Sequence, residues 1–179
     1  MPKSYDSNPP LGAGGKQLLL VRHAKSDWND ASLSDFDRPL NERGKKDAPD
    51  IARRLHDKKI KIDLIISSPA KRAKKTAAIF AKEFKIGKGK ILYNDKLYEE
   101  SEDALFNIIS STENKYNSIA IFTHNPGITD FANLLTGKRI DNIPTCGIFA
   151  VKTDTKDWAE FKTAKKEFLF FDFPKGGDN

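Results

Sequence analysis

Three stretches of the chain end an apolar run on a group that can hold or attack an anion. Leu18, Leu19, Leu20 and Val21 lead into Arg22 and His23. Leu64, Ile65 and Ile66 lead into Ser67, Ser68 and Pro69, with Arg72 one helical turn further on, and Ile119 to Phe122 lead into Thr123 and His124. Arginine presents a planar fork that matches phosphate oxygens, and a helix N-terminus adds backbone N–H donors that favour anions. A neutral imidazole is a competent nucleophile, and neighbouring cations keep a histidine neutral by lowering its pKa. Two arginines and two histidines without a carboxylate cluster suit a phosphoryl group better than a metal ion, and phosphoryl transfer to histidine is the reaction they predict. Each residue also has a plainer use. A histidine after a strand commonly packs or caps, Arg22 alone reads as a surface cation, and Ser67 and Ser68 ahead of Pro69 read as ordinary helix N-caps. Gathered on one sheet edge, they favour a site.

Strands must bring these distant positions together. Short apolar runs alternate with longer helical patterns: QLLLV, a helix around GKKDAPDIARRLHD, IDLIIS, a helix from PAKRAKKTAAIFAKEF, KILYN, a helix near SEDALFNIISST, SIAIFTH, the helix GITDFANLLTG, and late strands at GIFAVKT and KEFLFFDF. That alternation predicts an α/β fold with a mainly parallel sheet covered on both faces. Nearly continuous apolar strands such as DLII and IAIF agree, since parallel strands are buried on both sides. In open α/β sheets ligands bind at the carboxyl ends of the strands, where Arg22, His23, Ser67, Ser68, Thr123 and His124 fall. The aromatic FLFFDF run suits a late core or edge strand.

Bulk properties narrow the classes. At 179 residues with 38% hydrophobic and 31% charged residues, one soluble domain is expected. Residues 1–16, rich in Pro, Gly and Ser, read as a flexible arm, residues 17–173 as the domain, and residues 174–179 as a loose tail. The GAGG stretch precedes a strand rather than following one, which argues against a phosphate-binding loop. No stretch has the roughly 20 apolar residues of a membrane helix, and the N-terminus lacks a signal-peptide core; a cytoplasmic protein is predicted. Cys146 is the only cysteine, so no intrachain disulfide forms and a thiolate zinc site is not expected. The net charge of +6 is carried by lysines scattered over the helical and loop segments. This predicts a solvated surface with a mild attraction for anions, and no nucleic-acid or membrane partner. His56, in a basic helical run, reads as exposed.

Beyond these patterns, LLLVRHAKSDWND resembles the Arg-His-Gly signature of the histidine phosphatase superfamily, the group that includes phosphoglycerate mutases, acid phosphatases and SixA-type phosphohistidine phosphatases. RPLNERGKKDA resembles the segment that follows that signature, SSPAKRAKKTA the Ser-Pro-x-x-Arg-x-x-x-Thr helix start, and FTHNPGI the strand end bearing the second histidine. The likeness runs from roughly Gln17 to Leu135, in order. Ala24 stands where many relatives have glycine. With Lys25, Ser26, THNPG and the short chain, this form is most similar to the SixA-type branch.

The resemblance implies a three-layer α/β/α sandwich of phosphoglycerate mutase type and a phosphatase that uses neither metal nor cofactor. It makes His23 the nucleophile that becomes a phosphohistidine. Arg22 and Arg72 grip the phosphoryl oxygens, His124 donates to the same oxygens, and Asn29, after Trp28, lies near the phosphate. Glu99 in KLYEES is the candidate general acid, its alternative being a carboxylate at the start of the following helix. Arg38 and Arg43 are expected to be surface or structural residues. The favoured substrate is a phosphorylated protein carrying phosphohistidine. A small phosphomonoester, or a phospho-ligand-binding module without turnover, are the alternatives, and a mutase is disfavoured by the short chain. A monomer is expected.

Overall fold

A computed structural model describes residues 15–99 and 101–174. Its central strand, β1 (Lys16–Arg22), is apolar along most of its length because it pairs on both sides, with β4 (Ser118–Thr123) and with β5 (Ile148–Thr153). Beyond β4 lie β2 (Leu64–Ser67) and β3 (Ile91–Tyr93); beyond β5 lies β6 (Lys166–Asp172). The order is β3-β2-β4-β1-β5-β6, with β1 to β4 parallel and β5 and β6 antiparallel to their neighbours. The expected mainly parallel sheet is thus present, and the aromatic β6 forms one edge.

Helices cover both faces. Leu19, Val21, Ile65, Ala120 and Phe122 point to the side that buries Ile51 and Leu55 of α1 (Glu42–Asp57) and Ala77 and Phe80 of α2 (Lys71–Glu83). Their neighbours Leu18, Leu20, Ile66, Ile119 and Ile121 pack against Leu105 and Ile109 of α3 (Glu102–Ser110) and Ile128 and Phe131 of α4 (Gly127–Leu135). Alternate residues of one strand therefore fill two cores, the expected consequence of a period of two between covered faces. The architecture is the three-layer α/β/α sandwich of the phosphoglycerate mutase type. Among the described residues no helix is long and apolar enough to cross a membrane.

The start of α1 braces the turn after β1. Asn41 caps the helix by accepting from Gly44 N–H at 2.8 Å, and its own N–H donates to the Lys25 carbonyl at 3.0 Å. A Cβ on Gly44 would stand 2.2 Å from that carbonyl, so only glycine allows helix and turn this close.

Three readings need correction, and that of His56 holds. Lys16, assigned to the arm, begins β1; it is buried, and its ammonium donates to the carbonyls of Asn114 and Tyr116 and to Asn117 Oδ1. The rest of the arm, residues 1–14 with most of GAGG, lies outside the described residues apart from Gly15. Pro174, assigned to the tail, is buried, while 175–179 lie outside the description. Neither Ser67 nor Ser68 is the cap of α2. That position is Ala70, whose N–H donates to Ser68 Oγ at 3.2 Å across the bend at Pro69 and Ala70. His56 is exposed, edge-on to Phe84.

Candidate active site

Parallel registration carries the polar strand ends to one level. Arg22 lies opposite Thr123, and Ser67 opposite Phe122. Past the strands, His23 N–H donates to the Thr123 carbonyl at 3.1 Å and Ser68 N–H to the Phe122 carbonyl at 2.9 Å. Arg22, His23, Arg72 and His124 consequently line one cavity of about 690 Å³ at the carboxyl ends of β1, β2 and β4.

The geometry defines the state of His23. Its Nδ1 lies 2.8 Å from the Ala24 carbonyl, an atom that only accepts, so Nδ1 carries the proton and Nε2 keeps its lone pair. Arg72 Nε donates to that Nε2 at 3.2 Å. Burial first and then the His124 ring push the His23 pKa well below its usual value; the Ala24 carbonyl opposes them, and the Arg72 and Arg22 guanidinium groups add smaller lowering effects. The ring is therefore neutral at physiological pH, with its lone pair facing a cation. His124 sits 5.1 Å away, centroid to centroid, with Nε2 2.7 Å from Ser68 Oγ. Burial and the two arginines lower its pKa to about 4, although Asp35 opposes them.

Helix α2 delivers Arg72 through a local relay. Thr76 Oγ1 donates to the Arg72 carbonyl at 2.8 Å and accepts from Ala24 N–H at 3.0 Å, which ties the first turn of α2 to the residue after His23. This accounts for a threonine four residues after the arginine. Arg22 Nη1 donates to the Ile143 carbonyl at 2.9 Å.

Of the surface and structural readings, burial excludes the first for Arg38. That residue is 7% exposed and lines the cavity, with its guanidinium carbon 3.3 Å from the centre of the Trp28 ring. Arg22 Nε, Arg38 Nε and Arg38 Nη1 are buried without a hydrogen-bond partner among the described residues. Buried donors left unsatisfied are costly, and three such donors in one pocket mark a place for an anion. Arg43 does stay outside, on α1, paired with Asp47 at 3.3 Å. Asn29 is exposed on the loop and does not line the cavity, while its neighbour Trp28 does. Here the loop turns at Asp27, whose carboxylate accepts from Asn29 N–H at 2.8 Å. Glu99 lines the mouth and is exposed, as is Asp130 of α4.

Asp35 and Tyr98 are among the pocket residues with no sequence signal. Asp35 Oδ2 accepts from Arg72 Nη2 at 3.0 Å and from the Tyr98 hydroxyl at 2.8 Å; its Oδ1 accepts from Arg38 Nη2. Burial raises the Asp35 pKa, but Tyr98, Arg72 and Arg38 outweigh it and hold the carboxyl at about 2.

Comparison with known proteins agrees with this arrangement. Residues 18–101 match the family model of the histidine phosphatase superfamily (branch 1). An uncharacterised chloroplastic protein of Arabidopsis thaliana is 31% identical over 163 residues, covering 84% of this chain and 72% of the relative. A solved structure provisionally assigned as phosphohistidine phosphatase SixA of Agrobacterium tumefaciens superposes with a TM-score of 0.76 at 27% identity, over 89% of this chain and 98% of that one. Another, the protein histidine phosphatase SixA complexed with tungstate, gives a TM-score of 0.76 at 20% identity over the same shares, and speaks for the fold alone. By its sequence match, its sheet order and its paired strand ends, the chain belongs to the histidine phosphatase superfamily.

Proposed function

We propose that the protein is a SixA-type protein phosphohistidine phosphatase that works without a metal ion through a phosphohistidine on His23. The observation that carries this reading is the contact of Arg72 Nε with a His23 Nε2 whose lone pair is fixed by the Nδ1 bond to Ala24. Burial keeps the imidazole neutral, and the guanidinium beside the attacking nitrogen adds to that effect and supplies the positive charge that a metal would otherwise bring. His23 Nε2 attacks phosphorus, and the bond from phosphorus to the substrate's imidazole nitrogen breaks. The departing imidazole takes the electron pair and a proton from solvent water. Water then attacks phosphorus and gives up a proton to solvent, the bond to Nε2 breaks with its electron pair returning to that nitrogen, and inorganic phosphate leaves.

Arg22, Arg38 and Arg72 hold the phosphoryl oxygens in both steps. Ser68 Oγ already accepts from Ala70 N–H, so its own hydrogen is available to His124 Nε2. Donation from Ser68 to Nε2 would leave the His124 proton on Nδ1, as a donor to the phosphoryl group.

Two features support phosphohistidine on a protein over a small ester. Glu99 lines the cavity from an exposed position, whereas both histidines are buried, which suits a leaving group that needs little help from an acid. Trp28, Leu33 and Phe36 are 71%, 37% and 38% exposed on the loop beside the cavity, apolar surface that a small metabolite does not cover.

The test is turnover by the pure protein of a phosphohistidine-bearing protein, an aryl phosphate and a sugar phosphate. The phosphohistidine protein should give the highest kcat/KM. Faster turnover of the sugar phosphate would support a small-molecule phosphomonoesterase, and phosphate binding with no turnover would support a binding module.

A further inference from the structure

The pocket's two buried arginines share one counter-charge. Asp35 accepts from Arg72 Nη2 at 3.0 Å through Oδ2, and its main-chain carbonyl accepts from Arg72 Nη1 at 2.6 Å. Its Oδ1 accepts from Arg38 Nη2. Both arginine side chains are more than nine-tenths buried, whereas the Asp35 side chain is 50% exposed. Oδ2 also accepts from the Tyr98 hydroxyl at 2.8 Å, and the Tyr98 ring meets the His124 ring edge-on at 5.7 Å. One residue of an irregular loop thus reaches His23 through Arg72 and His124 through Tyr98.

Two roles fit such a carboxylate, and they differ in sign. It either competes with the phosphoryl group for the arginines or holds them ready for it. The division of donors decides between them. Asp35 takes the terminal nitrogens of Arg72, while Nε is directed at His23 Nε2. From Arg38 it takes Nη2 and leaves Nε and Nη1 without a partner. Asp35 thus holds one side of each guanidinium, through its carboxylate and, for Arg72, its carbonyl, and leaves Arg72 Nε to His23 and Arg38 Nε and Nη1 without a protein partner, the arrangement of an orienting group. A free arginine side chain would otherwise lose much rotamer entropy on binding the anion.

We propose that Asp35 is the positioning residue of the phosphoryl pocket, fixing Arg72 and Arg38 directly and the His124 ring through Tyr98. This rests on the pocket's being a phosphoryl site. Asp35 does not touch the reacting atoms; it acts through the side chains that do.

The experiment is calorimetric titration of inorganic phosphate into the wild type, Asp35→Asn and Asp35→Glu, with aryl phosphate kinetics and melting curves on the same samples. Asp35→Asn, nearly isosteric and half exposed, should fold and bind phosphate about tenfold more weakly, the scale of one charge-assisted contact. Its KM for aryl phosphate should rise more than its kcat falls. Asp35→Glu should recover part of the affinity, because it restores the charge within reach of both arginines. Phosphate affinity unchanged or tighter in a folded Asp35→Asn overturns the proposal and makes Asp35 a competitor. If Asp35→Asn does not fold, unaltered phosphate affinity in a folded Asp35→Glu, with its carboxylate displaced by one methylene, overturns it equally. Because binding is read without turnover, wild type that binds phosphate yet hydrolyses nothing refutes the phosphatase reading alone. Wild type that does not bind phosphate refutes both.

Discussion

Replacing Arg72 with lysine separates a bidentate grip on the phosphoryl group from a simple need for positive charge. The guanidinium reaches three acceptors at once: His23 Nε2 at 3.2 Å, the Asp35 carbonyl at 2.6 Å and Asp35 Oδ2 at 3.0 Å. A lysine ammonium is a single point on a longer, more flexible stem and cannot meet all three while also facing the phosphate. One charge-assisted hydrogen bond is worth about 1.5 to 3 kcal/mol, and about 1.4 kcal/mol corresponds to tenfold in rate. Losing one phosphoryl contact in the transition state should therefore lower kcat/KM by about 10- to 10²-fold. The assay is steady-state hydrolysis of an aryl phosphate at saturating and limiting concentrations, with a melting curve to confirm folding. Since lysine keeps the charge, His23 stays neutral and the pH profile should keep its shape. A loss below about threefold would show that neither the fork nor its bond to His23 contributes to catalysis, and the site as described would be wrong.

Other perturbations follow from the same geometry. Gly44→Ala forces α1 and the Lys25 carbonyl, 2.2 Å from the new Cβ, apart by about 1 Å; activity should fall about 10²-fold and stability by about 1 to 3 kcal/mol, as read by kinetics and urea unfolding. Both histidines are buried neutral, with His124 at about 4 and His23 well below its usual value. Corrected for substrate ionisation, the acid limb of kcat/KM should thus lie nearer pH 4 than 6.5, and a fall centred at pH 6.5 would contradict it. Between about pH 6.5 and pH 4 the unfolded chain binds more protons than the folded one, so stability should drop as pH falls through that window. His124→Gln should flatten that drop. If Glu99 is the general acid, Glu99→Gln should slow an alkyl phosphate by about 10²-fold and an activated aryl phosphate much less. Equal losses on both would mean it protonates nothing.

What was legible in the sequence were the places where an apolar run ends abruptly. Arg22, His23, Ser68 and His124 stand one after another at such ends, and parallel pairing of β1, β2 and β4 carries that pattern into space without further information. Arg72 was legible because a helix start follows β2 at once. Arg38 looked like one more cation in a basic segment; its burial depends on Asp35 and on the Trp28 ring, contacts with no periodicity. Asp35 and Tyr98 meet across 63 residues, through side chains on irregular segments. Asn29 shows the opposite limit, because a motif transfers a residue type but not the turn at Asp27 that leaves it facing solvent. Lys16 was lost to the arm because its charge masks the start of a strand, although three acceptors bury it there.

The central claim is that His23 Nε2 takes the phosphoryl group, and trapping the intermediate tests it most directly. Wild type mixed with substrate labelled in its phosphoryl group and quenched within milliseconds should carry label that is lost in acid and kept in alkali, as a phosphorus–nitrogen bond requires. Peptide mapping should place it on His23, and His23→Ala should give neither label nor turnover. Full activity in His23→Ala, or label on any other residue of a competent intermediate, would contradict the mechanism.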